Sequence, residues 1–165
     1  MTKTDLTDRR KTGMLIEHLF VFSGKEDALI PIVCVDDRYG IAFNHRRQSR
    51  DRILYADVLK LCGTGGLWLP PYSRELFSAT APEQLRVDEA FLDRAGAGEY
   101  CFAECSPLMP YAQRMEGMVL YRWNRCYPAD RYLDLRPEKM AWKLLERVDF
   151  AGSSHKKITR EVYGR

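Results

Sequence analysis

No run of about 18 apolar residues occurs anywhere in this chain of 165, so no membrane-spanning helix is written into it. The opening "MTKTDLTDRRKTG" has no apolar core either, which excludes a secretory signal peptide and leaves residues 1–13 as a polar, disordered tail. Metal-binding and hydrolytic signatures are also missing. There is no HxH or HxxxH pair, no G-x-S-x-G elbow, and "CGTGG" lacks both the Lys-Ser/Thr of a P-loop and the Rossmann glycine spacing. It reads as a turn.

Five cysteines are present, an odd number with no secretory signal, which points to a reducing cytoplasm. Cys101 and Cys105 fall too far apart along an extended stretch for an easy disulfide, and Cys34, Cys62 and Cys126 lack the spacing of zinc ligands. All five read as free thiols. No metal and no cofactor is called for.

What is there is the composition of a globular protein, 45% hydrophobic and 30% charged, with a formal net charge of +3. That surplus is small, so any case for an anionic partner must rest on where the cations cluster. Residues 14–165 read as one domain with no linker that would split it.

"MLIEHLFVF" (14–22), "ALIPIVCVD" (28–36) and "RYGIAFN" (38–44) are rich in β-formers and separated by turn residues, which predicts a three-stranded antiparallel meander. Pro31 cannot donate to a ladder, so the second strand is expected at an edge or bulge. Over 50–62, Ile53, Leu54, Val58 and Leu61 recur at helical spacing, with Ser49 as N-cap and Gly63 as terminator. "LWLPPYSRELF" is a short strand broken by two prolines, then a helical turn. "VDEAFLDRAG" reads as a short helix from Asp88 to Gly96, and 99–105 and 118–127 as strands, with one or two more in "RYLDL" and "WKLLERVDF". "GSSHKKITREVYGR" reads as a C-terminal helix capped by Ser153 or Ser154. The expected fold is α+β, a mostly antiparallel sheet with helices on one face.

The sharpest functional signal lies in "NHRRQSR". Arg46, Arg47, Arg50 and Arg52 precede the helix over 50–62, where the dipole favours anions. Free N–H groups beside arginine forks make an anion site, so Arg46, Arg47 and Arg50 are candidate ligand-binding residues. "SSHKKI" repeats the pattern with His155, Lys156 and Lys157. The strand "YRWNRCY" adds Arg122 and Arg125 interleaved with aromatics, an arrangement that can hold phosphates and stack bases. His45 and His155 stand at the two basic segments as a candidate acid and base, while His18 reads as a sheet-face residue.

These residues predict a protein that binds RNA or another phosphate-bearing ligand, with metal-independent ribonuclease chemistry at His45 and His155. The alternative is a non-catalytic module that uses the arginine loop to hold an anion or an acidic protein surface.

Overall fold

A computed structural model describes residues 28–77 and 82–165. The polar tail, the strand expected at 14–22 and His18 lie outside the described residues.

The framework is a mixed seven-stranded sheet. Its strands are β1 (Leu29–Val35), β4 (Leu67–Leu69), β5 (Leu85–Val87), β6 (Glu99–Phe102), β7 (Gly117–Arg122), β9 (Lys143–Phe150) and β10 (Ile158–Gly164), in the spatial order β5-β4-β6-β1-β7-β10-β9. β6 and β7 both flank β1 in parallel, and β4 is parallel to β5 and β6. Only β10 runs against its neighbours. A smaller sheet holds β2 (Gly40–Phe43), β3 (Arg46–Arg47) and β8 (Arg131–Tyr132) in the order β3-β2-β8.

The expected antiparallel meander is therefore wrong. "LIPIVCV" is buried along almost its whole length, as a central parallel strand covered on both faces must be. Nor does β2 pair back onto β1. The chain turns at Asp36, whose carboxylate accepts N–H bonds from Arg38 (2.8 Å) and Gly40 (2.7 Å), and leaves for the second sheet. Glycine is required at position 40, because a Cβ there would lie 2.7 Å from Ala129, Asp36 and Gln48 alike.

Pro31 sits in this central strand for a local reason. The Ile32 carbonyl bonds toward β6 and the Val35 carbonyl toward β7, so odd positions face β7. The β7 ladder is registered only from Ile32 onward, and Pro31 lacks its donor just before that ladder starts.

Helix α1 (Arg52–Cys62) buries Leu54, Val58 and Leu61 of the stripe expected from sequence against one face of the sheet with Ile30, Ile32 and Phe102, whereas Ile53 of that stripe is exposed. Phe77, from the 3-10 turn Pro71–Phe77 after the double proline, joins the same face. The opposite face takes Phe91 and Leu92 from α2 (Phe91–Arg94), together with Leu108 and Met115 from the β6–β7 connection. Helices on one face only are thus a second correction. The expected C-terminal helix is a third: residues 158–164 form β10.

Candidate functional site

α1 begins not at Ser49 but at Asp51, which is 1% exposed and accepts N–H bonds from Ile53 (3.0 Å) and Leu54 (3.1 Å). The same carboxylate accepts the backbone N–H groups of Ser153 and Ser154, both at 2.9 Å, and the Nδ1–H of His155 at 3.0 Å. Burial pushes this carboxyl up. The N–H groups of Ser153 and Ser154, the imidazole and the Leu54 N–H outweigh that and hold it well below the usual carboxylate range. The anion that the helix dipole calls for is part of the chain.

Two of the loop arginines, Arg47 and Arg50, are likewise answered from within. Arg47 grips Glu104 through Nε (2.7 Å) and Nη2 (2.9 Å), and its Nη1 reaches Glu75 at 2.7 Å. Arg50 binds the same Glu75 oxygen at 2.7 Å. Arg46 is exposed on β3 and makes no ion pair among the described residues. Arg122 is held by Glu161 (2.7 Å) and the Tyr39 hydroxyl (3.1 Å), so its partner lies on β10.

The two candidate histidines do not meet. His45 is at the tip of the β2–β3 hairpin. It and Asn44 both have positive φ (61° and 51°), as tight two-residue hairpins demand, although glycine usually takes the second place. His155 is buried in the β9–β10 connection, stacked on Trp123 at 4.6 Å, with its Nε2 facing the hydroxyls of Tyr127 (2.8 Å) and Ser49 (3.1 Å). Because ionised Asp51 only accepts, Nδ1 carries a proton toward it.

Two cavities open at the carboxyl ends of the strands. One, of about 240 Å³, lies where β4 and β6 end and is lined by His45, Pro70, Tyr72, Ser106 and Arg131. The other, of about 610 Å³, lies where β7 ends and β10 begins and is lined by Trp123, Arg125, His155, Lys156 and Lys157. Arg47, Glu104 and Ser49 fill the space around the end of β1, leaving about 10 Å³ there.

The first cavity has a special place in the topology. The connection leaving β4 packs on the α1 face and the one leaving β6 packs on the opposite face. Adjacent parallel strands whose connections diverge open a crevice at their carboxyl ends, and in open α/β sheets ligands bind there. Sequence reading found His45 but missed Tyr72, Ser106 and Arg131, which come from three other segments. It also missed Asp51 as the N-cap, although an aspartate just ahead of an apolar stripe is an N-cap signal.

No protein-family model and no curated protein matches this sequence. Among solved proteins the fold is similar to that of a dihydrofolate reductase. That protein is the Enterococcus faecalis enzyme complexed with NADP(H) and RAB-propyl, with a TM-score of 0.60 and 9% identity over 85% of this chain and 98% of that one. At that identity the likeness is one of fold.

The likeness to a reductase, together with the separation of His45 from His155, overturns the expected RNA-binding ribonuclease. Neither RNA nor an acidic protein partner finds support, since Arg47 and Arg50 are committed to Glu75 and Glu104. Among the described residues no helix is long and apolar enough to cross a membrane, and no cluster of metal-ligating side chains occurs.

Proposed function

We propose that the protein binds a small phosphate-bearing molecule of mononucleotide size in the crevice between the ends of β4 and β6. One observation carries this reading. The switch-point cavity is walled by a fixed aromatic ring and edged by cationic and polar groups. Tyr72 is 45% exposed yet held in place: the Arg47 N–H donates to its hydroxyl at 3.2 Å, and the Arg47 guanidinium lies 4.3 Å from its ring centre. A rigid, exposed aromatic is a surface on which a planar ring can stack. Arg131 is pinned by one bond, from Nη1 to the Cys105 carbonyl (3.1 Å), and its remaining N–H groups have no partner among the described residues. They suit a phosphate or carboxylate fork. His45 and Ser106 add polar contacts at the rim.

The structural neighbour was solved with NADP(H), so the fit of a dinucleotide to these residues matters. A pyrophosphate wants the N–H groups of a glycine-rich turn entering a helix. Here the chain leaving β4 runs through Pro70 and Pro71, which have no N–H, into a 3-10 turn. The chain leaving β6 has no glycine before Pro107. These residues do not fit a whole dinucleotide, and no hydride transfer is derived from them. They do fit one phosphate and one ring. The five free cysteines are in keeping with a reducing, cytoplasmic setting.

The test is calorimetric titration at low salt with nicotinamide mononucleotide, adenosine 2′-phosphate and NADPH, on wild type and Arg131→Ala. Losing the charged hydrogen bonds of one arginine is worth about 1.5–3 kcal/mol, so Arg131→Ala should weaken mononucleotide binding by roughly ten- to a hundredfold. No saturable binding, or binding indifferent to Arg131, would overturn the reading. NADPH binding far more tightly than either fragment would overturn the size assignment.

A further inference from the structure

The larger cavity is a separate site with its own chemistry. It lies beyond the Arg47–Glu104 pair and shares no lining residue with the switch-point crevice. Three cations surround it, Arg125, Lys156 and Lys157, and none makes an ion pair among the described residues. By contrast, Arg122 is matched by Glu161, Arg47 by Glu104 and Arg50 by Glu75.

The backbone that carries these cations is clamped. On one side of Lys156 and Lys157, the His155 ring is fixed between Trp123 and the Asp51 carboxylate. On the other side, Asn124 has φ 59° and donates its side-chain amide to the Lys157 carbonyl (3.2 Å) and the Thr159 hydroxyl (2.9 Å). Arg125 is held at its carbonyl by the Asp37 N–H (3.0 Å), while its guanidinium lies 5.5 Å from the Tyr127 ring centre. Cations presented around a concavity by an ordered backbone lose little freedom on binding an anion, which favours affinity. The polar floor is already satisfied, because both His155 ring nitrogens have protein partners, so the free valence of the site is positive charge.

We propose that this cavity is a binding site for a small polyanion carrying two or more phosphates. Three cations around one volume match a charge near −3 better than a single phosphate, and about 610 Å³ holds a diphosphate or a nucleoside diphosphate.

The experiment is titration of the full-length protein with inorganic pyrophosphate at low salt, followed by fluorescence, since Trp123 lines the cavity. Orthophosphate and citrate are run in parallel. Saturable one-to-one binding of pyrophosphate is expected, at least tenfold tighter than orthophosphate and weakening steeply with salt. The triple variant Arg125→Ala/Lys156→Ala/Lys157→Ala should bind at least tenfold more weakly. Arg125→Lys/Lys156→Arg/Lys157→Arg should retain binding, which separates lost charge from a damaged fold. Arg131→Ala, in the other cavity, should leave pyrophosphate affinity unchanged, so this site and the switch-point crevice stand or fall separately. Absence of saturable binding, equal affinity in the alanine triple variant, or dependence on Arg131 would each overturn the proposal. Citrate binding as tightly as pyrophosphate would overturn the phosphate class.

Discussion

The Asp51 carboxylate accepts the Nδ1–H of His155 at 3.0 Å across 104 positions of sequence, with both side chains almost wholly shielded from water. One carboxylate thereby caps α1 and fastens the β9–β10 connection onto the helix start. Its partners include four backbone N–H groups, from Ile53, Leu54, Ser153 and Ser154. Asp51→Ala removes a cap worth about 1 kcal/mol and strands buried donors at about 1–3 kcal/mol each. A loss of roughly 3–5 kcal/mol is expected in urea unfolding, and a loss under 1 kcal/mol would mean the connection is not held by this residue.

Acid should release the same fastening. The folded Asp51 carboxyl titrates below its unfolded value of about 3.9. Its stabilising contribution is therefore complete above that pH and disappears as the pH falls from about 4 toward the folded value. Asp36 is shifted in the same direction: burial pushes it up, and the N–H groups of Gly40, Arg38 and Tyr127 outweigh that. Melting temperature followed from pH 7 to pH 2 should drop below about pH 4, and Asp51→Asn should flatten that drop. An unchanged slope in the variant would assign the acid transition to other groups.

Arg47 and Glu104 form an ion pair with both side chains 9% exposed, further fixed by the Ser73 hydroxyl donating to Glu104 at 2.7 Å. Breaking a buried pair from one side costs about 3–5 kcal/mol, whereas replacing both partners with apolar residues of similar size is often close to neutral. Glu104→Ala should be far more destabilising than Arg47→Met/Glu104→Leu. Because the pair fills the space at the end of β1, the double variant also tests whether charge or volume keeps it closed.

Gly152 lies against Asp51 and Ile158, where a Cβ would run into the carboxylate. Gly152→Ala should lower stability by about 1–3 kcal/mol through overpacking. Gly65→Ala, at a position with nothing within 4 Å, should change it by less than about 0.5 kcal/mol. Thermal unfolding of the two variants side by side makes the comparison, and equal effects would show that the close approach is not constraining.

The thiols should react in order of access. Burial pushes Cys101 up to about 12 and raises Cys34 and Cys62 further, while Cys126 is exposed. Since the thiolate is the reactive form, native protein titrated with a disulfide reagent at pH 8 should show one fast thiol, lost in Cys126→Ser, and five only after unfolding. Fast labelling in that variant would contradict the assignment.

What the sequence determined by itself was local. The stripe Leu54, Val58, Leu61 predicted the buried face of α1, and two prolines predicted the break after β4, because helical period and missing N–H groups act within a few residues. Tertiary structure decided what became of the rest. In "ITREVYG", Ile158 and Val162 sit four apart and read as a helix. Yet β10 lies between β7 and β9, buried on both faces, and an irregularity between Val162 and Tyr163 breaks the two-residue alternation. Strand direction was also beyond local reach: "DD" between two apolar runs looks like a hairpin, but the Asp36 carboxylate diverts the chain to another sheet. The arginines of "NHRRQSR" announced an anion, and for Arg47 and Arg50 the anions that answer are Glu75 and Glu104. Which carboxylates come within hydrogen-bond reach depends on the topology, because the attraction is short-ranged and indifferent to sequence distance.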